Sequence, residues 1–143
     1  MKTARQQLAE KALPVTISVS PSHTVFQALQ VMAEWNIGAV LVMNGNELAG
    51  IFSERDYARR VVLAGKSTAT TPVSEVMSPC AFCVLPDIPV DECLALMVEK
   101  RIRYLPIQEG GKVQGLLSIE ELVRATITEH QFALEQLESY IYR

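Results

Sequence analysis

Histidine is scarce in this sequence, which offers only His23 and His130 as general bases. The chain also lacks a phosphate-binding loop, a glycine-rich dinucleotide fingerprint and the paired histidines of a zinc protease. Catalysis needs a positioned base or nucleophile, and neither histidine lies in a pattern that provides one. His23 falls in a polar turn and His130 in an apolar helical stripe. The sequence therefore predicts a protein that is not an enzyme.

An excess of basic residues is also missing, since 13 lysines and arginines stand against 16 acidic residues and the net charge is −3. Proteins that bind nucleic acids usually present a basic face, so no nucleic-acid partner is predicted. No apolar run approaches the roughly 18 residues that span a membrane. Residues 1–7 lack the apolar stretch of a secretory signal. We expect a soluble, cytoplasmic protein with no membrane partner.

Cysteine is too scarce for a disulfide scaffold, because the chain has only Cys80, Cys83 and Cys93. Cys80 and Cys83 have CxxC spacing, but no second CxxC and no nearby histidine completes a zinc site. A thioredoxin-type pair would open a helix, whereas this pair falls at the start of a predicted strand. We interpret both as small apolar side chains in a reducing compartment, and we predict no metal site.

The chain does contain an internal repeat, within a composition that is 49% hydrophobic and 20% charged and so can bury a core. A shift of 65 positions aligns the two halves without a gap. The identical pairs include Pro14/Pro79, Val19/Val84, Pro21/Pro86, Val25/Val90, Leu29/Leu94, Met32/Met97, Ile37/Ile102, Gly50/Gly115, Ser53/Ser118 and Arg59/Arg124.

Each copy has the same order of predicted elements. An extended stretch (16–20; 81–85) precedes an amphipathic helix, which Thr24 and Gln27 would begin as a capping box in the first copy. Two strands follow (39–43 and 48–52; 104–107 and 113–117), and a second helix begins at Ser53 or Ser118. Unbroken apolar strands are typical of sheets whose two faces are both covered by other parts of the protein.

One copy alone is too small to bury enough surface. We therefore predict an α+β fold in which two β-α-β-β-α repeats pack face to face with pseudo-two-fold symmetry. The first repeat is assigned to residues 12–64, a polar linker to 65–75, the second repeat to 76–128 and a helical extension to 129–143.

The last helix carries an apolar stripe that runs beyond its counterpart in the first repeat. A helix that extends past its own domain with an apolar face usually meets a partner, so the stripe predicts a homodimer contact. The stripe residues are Ile119, Val123, Ile127, His130, Leu134, Leu137 and Ile141.

Four segments carry a family resemblance: residues 50–56 (GIFSERD), 73–78 (VSEVMS), 101–107 (RIRYLPI) and 115–118 (GLLS). They are typical of a cystathionine-β-synthase (CBS) domain. From about residue 12 onward the chain resembles a tandem CBS pair, or Bateman module, of the small stand-alone bacterial type. The resemblance implies clefts between the repeats that bind an adenosine-containing ligand, such as AMP, ATP, NAD or S-adenosylmethionine, and modules that dimerise into discs.

Ser53 and Asp56 stand at a strand-to-helix junction, where unpaired N–H groups and the helix dipole favour an anion. Asp56 has two acceptor oxygens suited to a pair of ribose hydroxyls. The resemblance implies that Ser53 lies near ribose or phosphate and Asp56 on the ribose. The same spacing is that of a helix capping box, which needs no ligand. In the second copy, Ser118 is followed by Glu121, an acceptor one methylene longer than the usual aspartate.

Arg101 and Arg103 flank Ile102 before a strand, where alternation would send both arginines to the same side. Two like charges on one side are unfavourable unless an anion meets them. The first copy has Asn36 and Gly38 at these positions, so the two clefts are predicted to differ in ligand charge. Three more arginines follow Ser53: Arg55, Arg59 and Arg60. The alternative to phosphate contact is a set of solvated pairs with Glu54, Asp56 and Glu99.

Adenine is expected to lie against apolar residues and backbone at the starts of the strands, where Gly38 would allow a ring to approach. In the first copy these residues are Ile17, Val19, Ile37, Gly38 and Ala39; in the second they are Val84, Ile102, Tyr104 and Pro106.

The predicted function is a non-catalytic sensor that binds AMP, ATP or NAD and acts through a homodimer on a protein target that the sequence does not identify. The alternative is a dimerisation scaffold that binds no ligand. If a ligand binds at Asp56, the substitution Asp56→Ala is expected to abolish binding and to leave the melting temperature of the ligand-free protein nearly unchanged.

Overall fold

The computed structural model describes residues 2–11, 13, 16–80, 82–129, 135–136 and 138–140. The helices are α1 (Ala4–Ala9), α2 (Val25–Trp35), α3 (Glu54–Asp56), α4 (Val90–Lys100) and α5 (Ile119–Glu129). The strands are β1 (Ser18–Val19), β2 (Ala39–Asn44), β3 (Glu47–Ser53), β4 (Tyr104–Glu109) and β5 (Lys112–Ser118). Helix α3 continues as a π-helical segment, Tyr57–Val62, and a 3-10 turn covers Val73–Glu75. The predicted α+β fold with two repeats is confirmed.

Each repeat contains an antiparallel hairpin. Strands β2 and β3 form the first and β4 and β5 the second, and both have a register shift at the equivalent point. In the first repeat β1 adds a parallel strand beside β2. In the second repeat the described residues show only a parallel bridge between Val84 and Ile107 at that place. Of the predicted strand over 81–85, the described residues 82–85 therefore keep one bridging residue.

The helix ends follow local sequence signals. The capping box predicted for α2 is present, because Gln27 N donates to Thr24 Oγ1 and Thr24 N donates to Gln27 Oε1. Helix α4 begins after Pro89 without a side-chain cap. Both helices end at a residue in the left-handed conformation, Asn36 with φ 52° and Arg101 with φ 56°. These two residues occupy equivalent positions in the repeats.

The strand β2 is covered on both faces, as its unbroken apolar run predicts. Val40 and Val42 belong to the core of the first repeat. Ala39 and Leu41 alternate with them and are also buried, with 2% and 1% exposure. Their face is directed toward the second repeat, because Ala39 and Leu41 line a cleft together with residues of β5 and α5.

Each hydrophobic core includes a segment from outside its own repeat. In the first core, Val73 and Val76 of the segment 71–78 are fully buried, although much of that segment was predicted as linker. In the second core, Ala4 of α1 is fully buried. The backbone bonds are equivalent, since Val73 N donates to His23 O and Ala4 N donates to Ile88 O. Each repeat is thus completed by the segment that precedes the other repeat in the chain.

The predicted repeat limits, 12–64 and 76–128, stay a prediction, but a core confined to them would lose Ala4 or Val73. Of the predicted C-terminal stripe, Ile119, Val123 and Ile127 lie on α5. The remaining stripe residues, His130, Leu134, Leu137 and Ile141, lie outside the described residues. None of the described helices combines the length and the apolar character needed to cross a membrane.

Candidate functional site

Two clefts open between the repeats, and the 65-residue shift relates their walls. Each combines the start of a strand from one repeat with the start of a helix from the other. The smaller, of about 390 Å³, is named the arginine cleft. The larger, of about 690 Å³, is named the N-terminal cleft because α1 forms part of its wall.

The structure divides the predicted site residues between these two clefts. Those in the arginine cleft are Ser53, Arg55, Asp56, Arg101, Arg103, Tyr104 and Pro106. Those in the N-terminal cleft are Ile17, Ile37, Gly38, Ala39, Tyr104, Ser118 and Glu121. The strand start of the first repeat therefore does not share a cleft with Ser53 and Asp56, because it faces the helix start of the second repeat.

Val19 lines neither cleft and is corrected to a core position. Its side chain is 4% exposed and packs in the core of the first repeat. Val84, its counterpart, packs against the core of the second repeat. Ile17 and Phe82, two residues earlier in the chain, line the clefts instead.

Ser53 and Asp56 form a complete capping box at the wall of the arginine cleft. Asp56 N donates to Ser53 Oγ at 3.2 Å, and Ser53 N donates to Asp56 Oδ2 at 3.0 Å. Ser53 Oγ also donates to Asp56 Oδ2, and Ser78 Oγ donates to Asp56 Oδ1 at 2.8 Å. Asp56 is only 6% exposed. Its carboxylate therefore supports the fold, and the expectation that Asp56→Ala leaves stability unchanged conflicts with this geometry.

Five arginines line the arginine cleft, against one carboxylate, that of Asp56. Arg60 is anchored, because its Nη1 donates to Met77 O at 2.9 Å and its Nε lies 3.9 Å from Asp56 Oδ1. Among the described residues, the other four have no carboxylate within 4 Å; they are Arg55, Arg59, Arg101 and Arg103. Of the alternative pairs with Glu54, Asp56 and Glu99, the described residues show only the contact of Arg60 with Asp56.

Arg101 and Arg103 reach the same cleft for a reason other than strand alternation. Arg101 is the left-handed C-cap of α4, with φ 56°, and β4 begins only at Tyr104. A left-handed backbone suits asparagine better than arginine, and asparagine is the residue at the equivalent Asn36. The second repeat thus carries an arginine at a position where its backbone is less favourable.

The N-terminal cleft has balanced charges. Lys11 Nζ lies 3.1 Å from Glu121 Oε1 and donates to Leu116 O at 2.7 Å. Arg124 Nη2 pairs with Glu120 Oε1 at 2.6 Å. Glu121 Oε2 is buried without a hydrogen-bond partner among the described residues. Lys11 therefore contacts the carboxylate that corresponds to Asp56 in the other cleft.

Tyr104 lies between the two clefts and lines both. A Cβ atom at Gly38 would approach Tyr104 Oη to 2.7 Å, so the glycine makes room for this hydroxyl. Burial raises the pKa of Tyr104, and the Glu54 carboxylate raises it further. The tyrosine is therefore a neutral phenol at physiological pH, a flat apolar surface with one polar atom.

The family model for the CBS domain matches this chain twice, over residues 6–63 and 73–127. The chain belongs to the CBS domain family. Its two repeats form a tandem CBS pair, and the resemblance predicted from the sequence is confirmed. The first match begins at residue 6 and so includes part of α1.

Three similar proteins place this CBS pair among its relatives. A solved CBS-domain protein from Burkholderia ambifaria is 44% identical, with a TM-score of 0.81, over 89% of this chain and 95% of that chain. The mitochondrial CBS domain-containing protein CBSX3 of Arabidopsis thaliana is 36% identical over 123 residues, or 82% of this chain. YhcV of Bacillus subtilis is 33% identical over 105 residues, covering 73% of this chain and 74% of that protein.

This CBS pair spans only part of several relatives. It covers 60% of the length of CBSX3 and 24% of another Arabidopsis protein, CBSCBSPB1.

Sequence reasoning missed several residues of the two clefts. Lys11 and Arg5 lie before the repeat, where nothing in the pattern associates them with a cleft of the CBS pair. Ser78 is the last residue of the family-like lead-in over 73–78, and Phe82 follows it. The hydroxyl of Ser78 was the available signal for a contact with the Asp56 carboxylate. Arg59 and Arg60 were considered as phosphate contacts and do line the arginine cleft.

Proposed function

We propose that this CBS pair is a non-catalytic regulatory module that binds an adenosine nucleotide of the AMP, ATP or NAD type in the arginine cleft and acts through a homodimer. The observation that carries the proposal is the charge of that cleft. Five arginines share one cleft with a single carboxylate, and four of them have no acidic partner among the described residues. Fixed like charges repel one another, and a polyphosphate would relieve the repulsion.

The surroundings of the arginines suit the remainder of a nucleotide. Ile102, Tyr104 and Pro106 form an apolar wall on the strand side. A planar base would stack there and bury apolar area. The helix side has the Ser53 hydroxyl and the Asp56 carboxylate, which we assign to the ribose. The cleft volume of about 390 Å³ lies within the range usual for small-ligand sites.

The N-terminal cleft is assigned no nucleotide in this proposal. Lys11 pairs with Glu121 where the arginine cleft has Asp56 and Ser78. The equivalents of Arg101 and Arg103 are Asn36 and Gly38, which bring no positive charge. A triphosphate would therefore meet the carboxylates of Glu54, Glu120 and Glu121 with fewer free cations. We expect one nucleotide per chain.

The CBS fold has a precedent for adenosine ligands. The CBS pair of the protein MJ0100 was solved with 5′-methylthioadenosine and S-adenosyl-L-methionine. That chain is 20% identical to this one, with a TM-score of 0.76, so the likeness concerns the fold. It supports a ligand of the adenosine class for such a fold, whereas the choice of a charged nucleotide comes from the arginines of this chain.

The test is calorimetric titration of AMP, ADP, ATP, NAD and S-adenosylmethionine into the full chain, with two arginine variants. Arg59→Ala removes an arginine of the arginine cleft, and Arg124→Ala removes its counterpart in the N-terminal cleft. We expect ATP to bind once per chain and Arg59→Ala to weaken binding about tenfold or more, the loss of one charge-assisted contact.

Arg124→Ala is the matched control, because both arginines are exposed and hold equivalent positions. It should leave the ATP affinity within about twofold of the unchanged protein. Equal effects of the two variants, or two ATP sites per chain, would contradict the assignment to the arginine cleft. Absence of binding by every nucleotide would leave the scaffold alternative.

A further inference from the structure

The beginning of the second repeat places a pair of thiols at the rim of the arginine cleft. Cys80 Sγ and Cys83 Sγ are 3.5 Å apart. Cys83 is exposed, and Cys80 is half-buried and lines the cleft together with Phe82. The sequence alone suggested two inert apolar side chains. Two sulfur atoms in contact, one of them exposed to solvent, are instead placed to form a disulfide.

We propose that Cys80 and Cys83 form a reversible intramolecular disulfide, and that this redox site is coupled to ligand binding in the arginine cleft. The disulfide itself depends only on the two thiols, whereas the coupling rests on the proposed nucleotide function. A disulfide requires an S–S distance of about 2.0 Å. Closing the present gap is a small displacement within a segment of four residues.

The order of reaction follows from the surroundings of each thiol. Burial raises the pKa of the Cys80 thiol to about 12, and the neighbouring Cys83 thiol contributes in the same direction. Cys80 is therefore a thiol at neutral pH. Cys83 is the accessible sulfur and attacks first, because nucleophilic attack needs an exposed thiolate.

The oxidant is a low-molecular-weight disulfide such as glutathione disulfide. The Cys83 thiolate, after losing its proton to water, attacks one sulfur of the oxidant, forms a mixed disulfide and releases one glutathione thiolate. Cys80 then loses its proton and attacks Cys83 Sγ, which expels the second glutathione thiolate. Two protein thiols are oxidised to one disulfide, and glutathione disulfide is reduced to two molecules of glutathione.

The position of the pair explains why its oxidation would affect the cleft. The Cys80 thiol donates to Phe82 O at 3.2 Å, and this bond is lost when the thiol loses its proton. Two residues before Cys80, Ser78 donates to the Asp56 carboxylate. A covalent link at Cys80 thus changes the rim and the segment that supports Asp56. By linkage, oxidation changes nucleotide affinity by the same factor by which nucleotide changes the disulfide equilibrium.

The first experiment equilibrates the full chain in buffers of varied glutathione to glutathione disulfide ratio, traps free thiols with N-ethylmaleimide and maps them by fragment-ion mass spectrometry. We expect a Cys80–Cys83 disulfide that reverts with excess glutathione, while the fully buried Cys93 stays a free thiol. Cys80→Ser should accumulate a glutathione adduct on Cys83, because the resolving thiol is missing. A wild-type chain that keeps both thiols at every ratio, or that stops at the glutathione adduct, overturns the proposal.

The second experiment titrates ATP into the reduced and oxidised proteins, with a Cys80→Ser/Cys83→Ser double variant as the control that cannot oxidise. We expect an affinity difference of about fivefold or more between the two redox forms and none for the double variant. Equal affinity in both forms overturns the coupling. If ATP binds to neither form, the nucleotide function fails, and the thiol mapping still decides the disulfide.

Discussion

At the scale of single residues, Asp56 has a structural function in addition to the binding function proposed for it. Its carboxylate accepts hydrogen bonds from Ser53 N, Ser53 Oγ and Ser78 Oγ while it is almost fully buried. A carboxylate in this position closes the first turn of α3 and fixes the segment that follows the 3-10 turn. Loss of the side chain would leave the Ser78 hydroxyl and the Ser53 N–H without their acceptor.

We predict that Asp56→Ala lowers the free energy of unfolding of the ligand-free protein by about 2 kcal/mol, because a helix cap and a buried hydrogen bond are lost together. Urea denaturation without nucleotide measures this change. Because the variant loses stability as well as a ribose contact, it cannot by itself assign a binding role.

Glu121→Ala is the matched control for Asp56→Ala, since Glu121 holds the equivalent position. The Glu121 side chain is 29% exposed and pairs with Lys11, so its loss should cost at most about 1 kcal/mol. Equal losses of stability for the two variants would mean that the hydrogen bonds of the Asp56 carboxylate with Ser53 and Ser78 add no measurable stability.

The sequence predicted most of these residues but not their grouping. The Ser53–Asp56 spacing indicated a capping box, and the box is present, because a cap depends on four consecutive residues. The sequence could not predict in the same way that Arg101, Arg103 and Tyr104 line the same cleft as that capping box. It depends on how two repeats about fifty residues long meet, and no local signal contains that information.

At the scale of secondary-structure elements, α1 is part of the second repeat although it precedes the first. Ala4 is buried in the second core, and Leu8 packs against it. Ala4 N donates to Ile88 O, Arg5 N donates to Pro86 O, and Val90 N donates to Lys2 O. The segment around the 3-10 turn packs in the core of the first repeat and bonds to its backbone in the same way, through Val73 and its neighbours.

We predict that deletion of residues 1–11 destabilises the second repeat by about 3 kcal/mol, since it exposes apolar core and breaks three backbone hydrogen bonds. Amide hydrogen exchange should rise in β4 and β5 while β2 and β3 stay protected. Denaturant unfolding gives the magnitude, and the exchange map gives the location.

The control is Arg5→Ala in the full chain. Arg5 pairs with Asp87 and Glu109 at the surface, so its loss should change stability by no more than about 0.5 kcal/mol. If the deletion protein were as stable as the full chain, α1 would be an accessory to the fold and not a part of its second core.

At the scale of the whole molecule, α4 and α5 pack against each other and expose apolar side chains. Val98 on α4 is 68% exposed, and Val123 on α5 is 42% exposed. We assign this face to the proposed homodimer, in continuity with the apolar stripe that the sequence shows on the last helix. A dimer contact would remove these side chains from water.

We predict that Val98→Glu/Val123→Glu converts the proposed homodimer to a monomer, because charged side chains would be buried in the contact without partners. Sedimentation velocity over a range of concentrations measures the change in mass. Leu85→Glu is the control, since Leu85 is also 68% exposed but lies in the segment before α4. A wild-type monomer, or a double variant that stays dimeric, would contradict this assignment.

The sequence by itself determined most of the elements and their duplication. Capping boxes, turn glycines and apolar patterns act over a few residues, so Thr24, Gly45 and the unbroken apolar run of β2 are predictable without a structure. The 65-residue shift adds the equivalence of the two repeats, and the CBS family model matches both of them.

Only the tertiary structure decided which pieces meet. In the structure, α1 packs with the second repeat and the segment 71–78 packs with the first. The site residues lie in two clefts, and Lys11 contacts Glu121. Val19, which was predicted at the site, lies in the core, and Cys80 Sγ lies 3.5 Å from Cys83 Sγ. The physical reason is that these contacts form when the two repeats bury apolar surface against each other. That driving force depends on the area buried and not on the distance between residues along the chain.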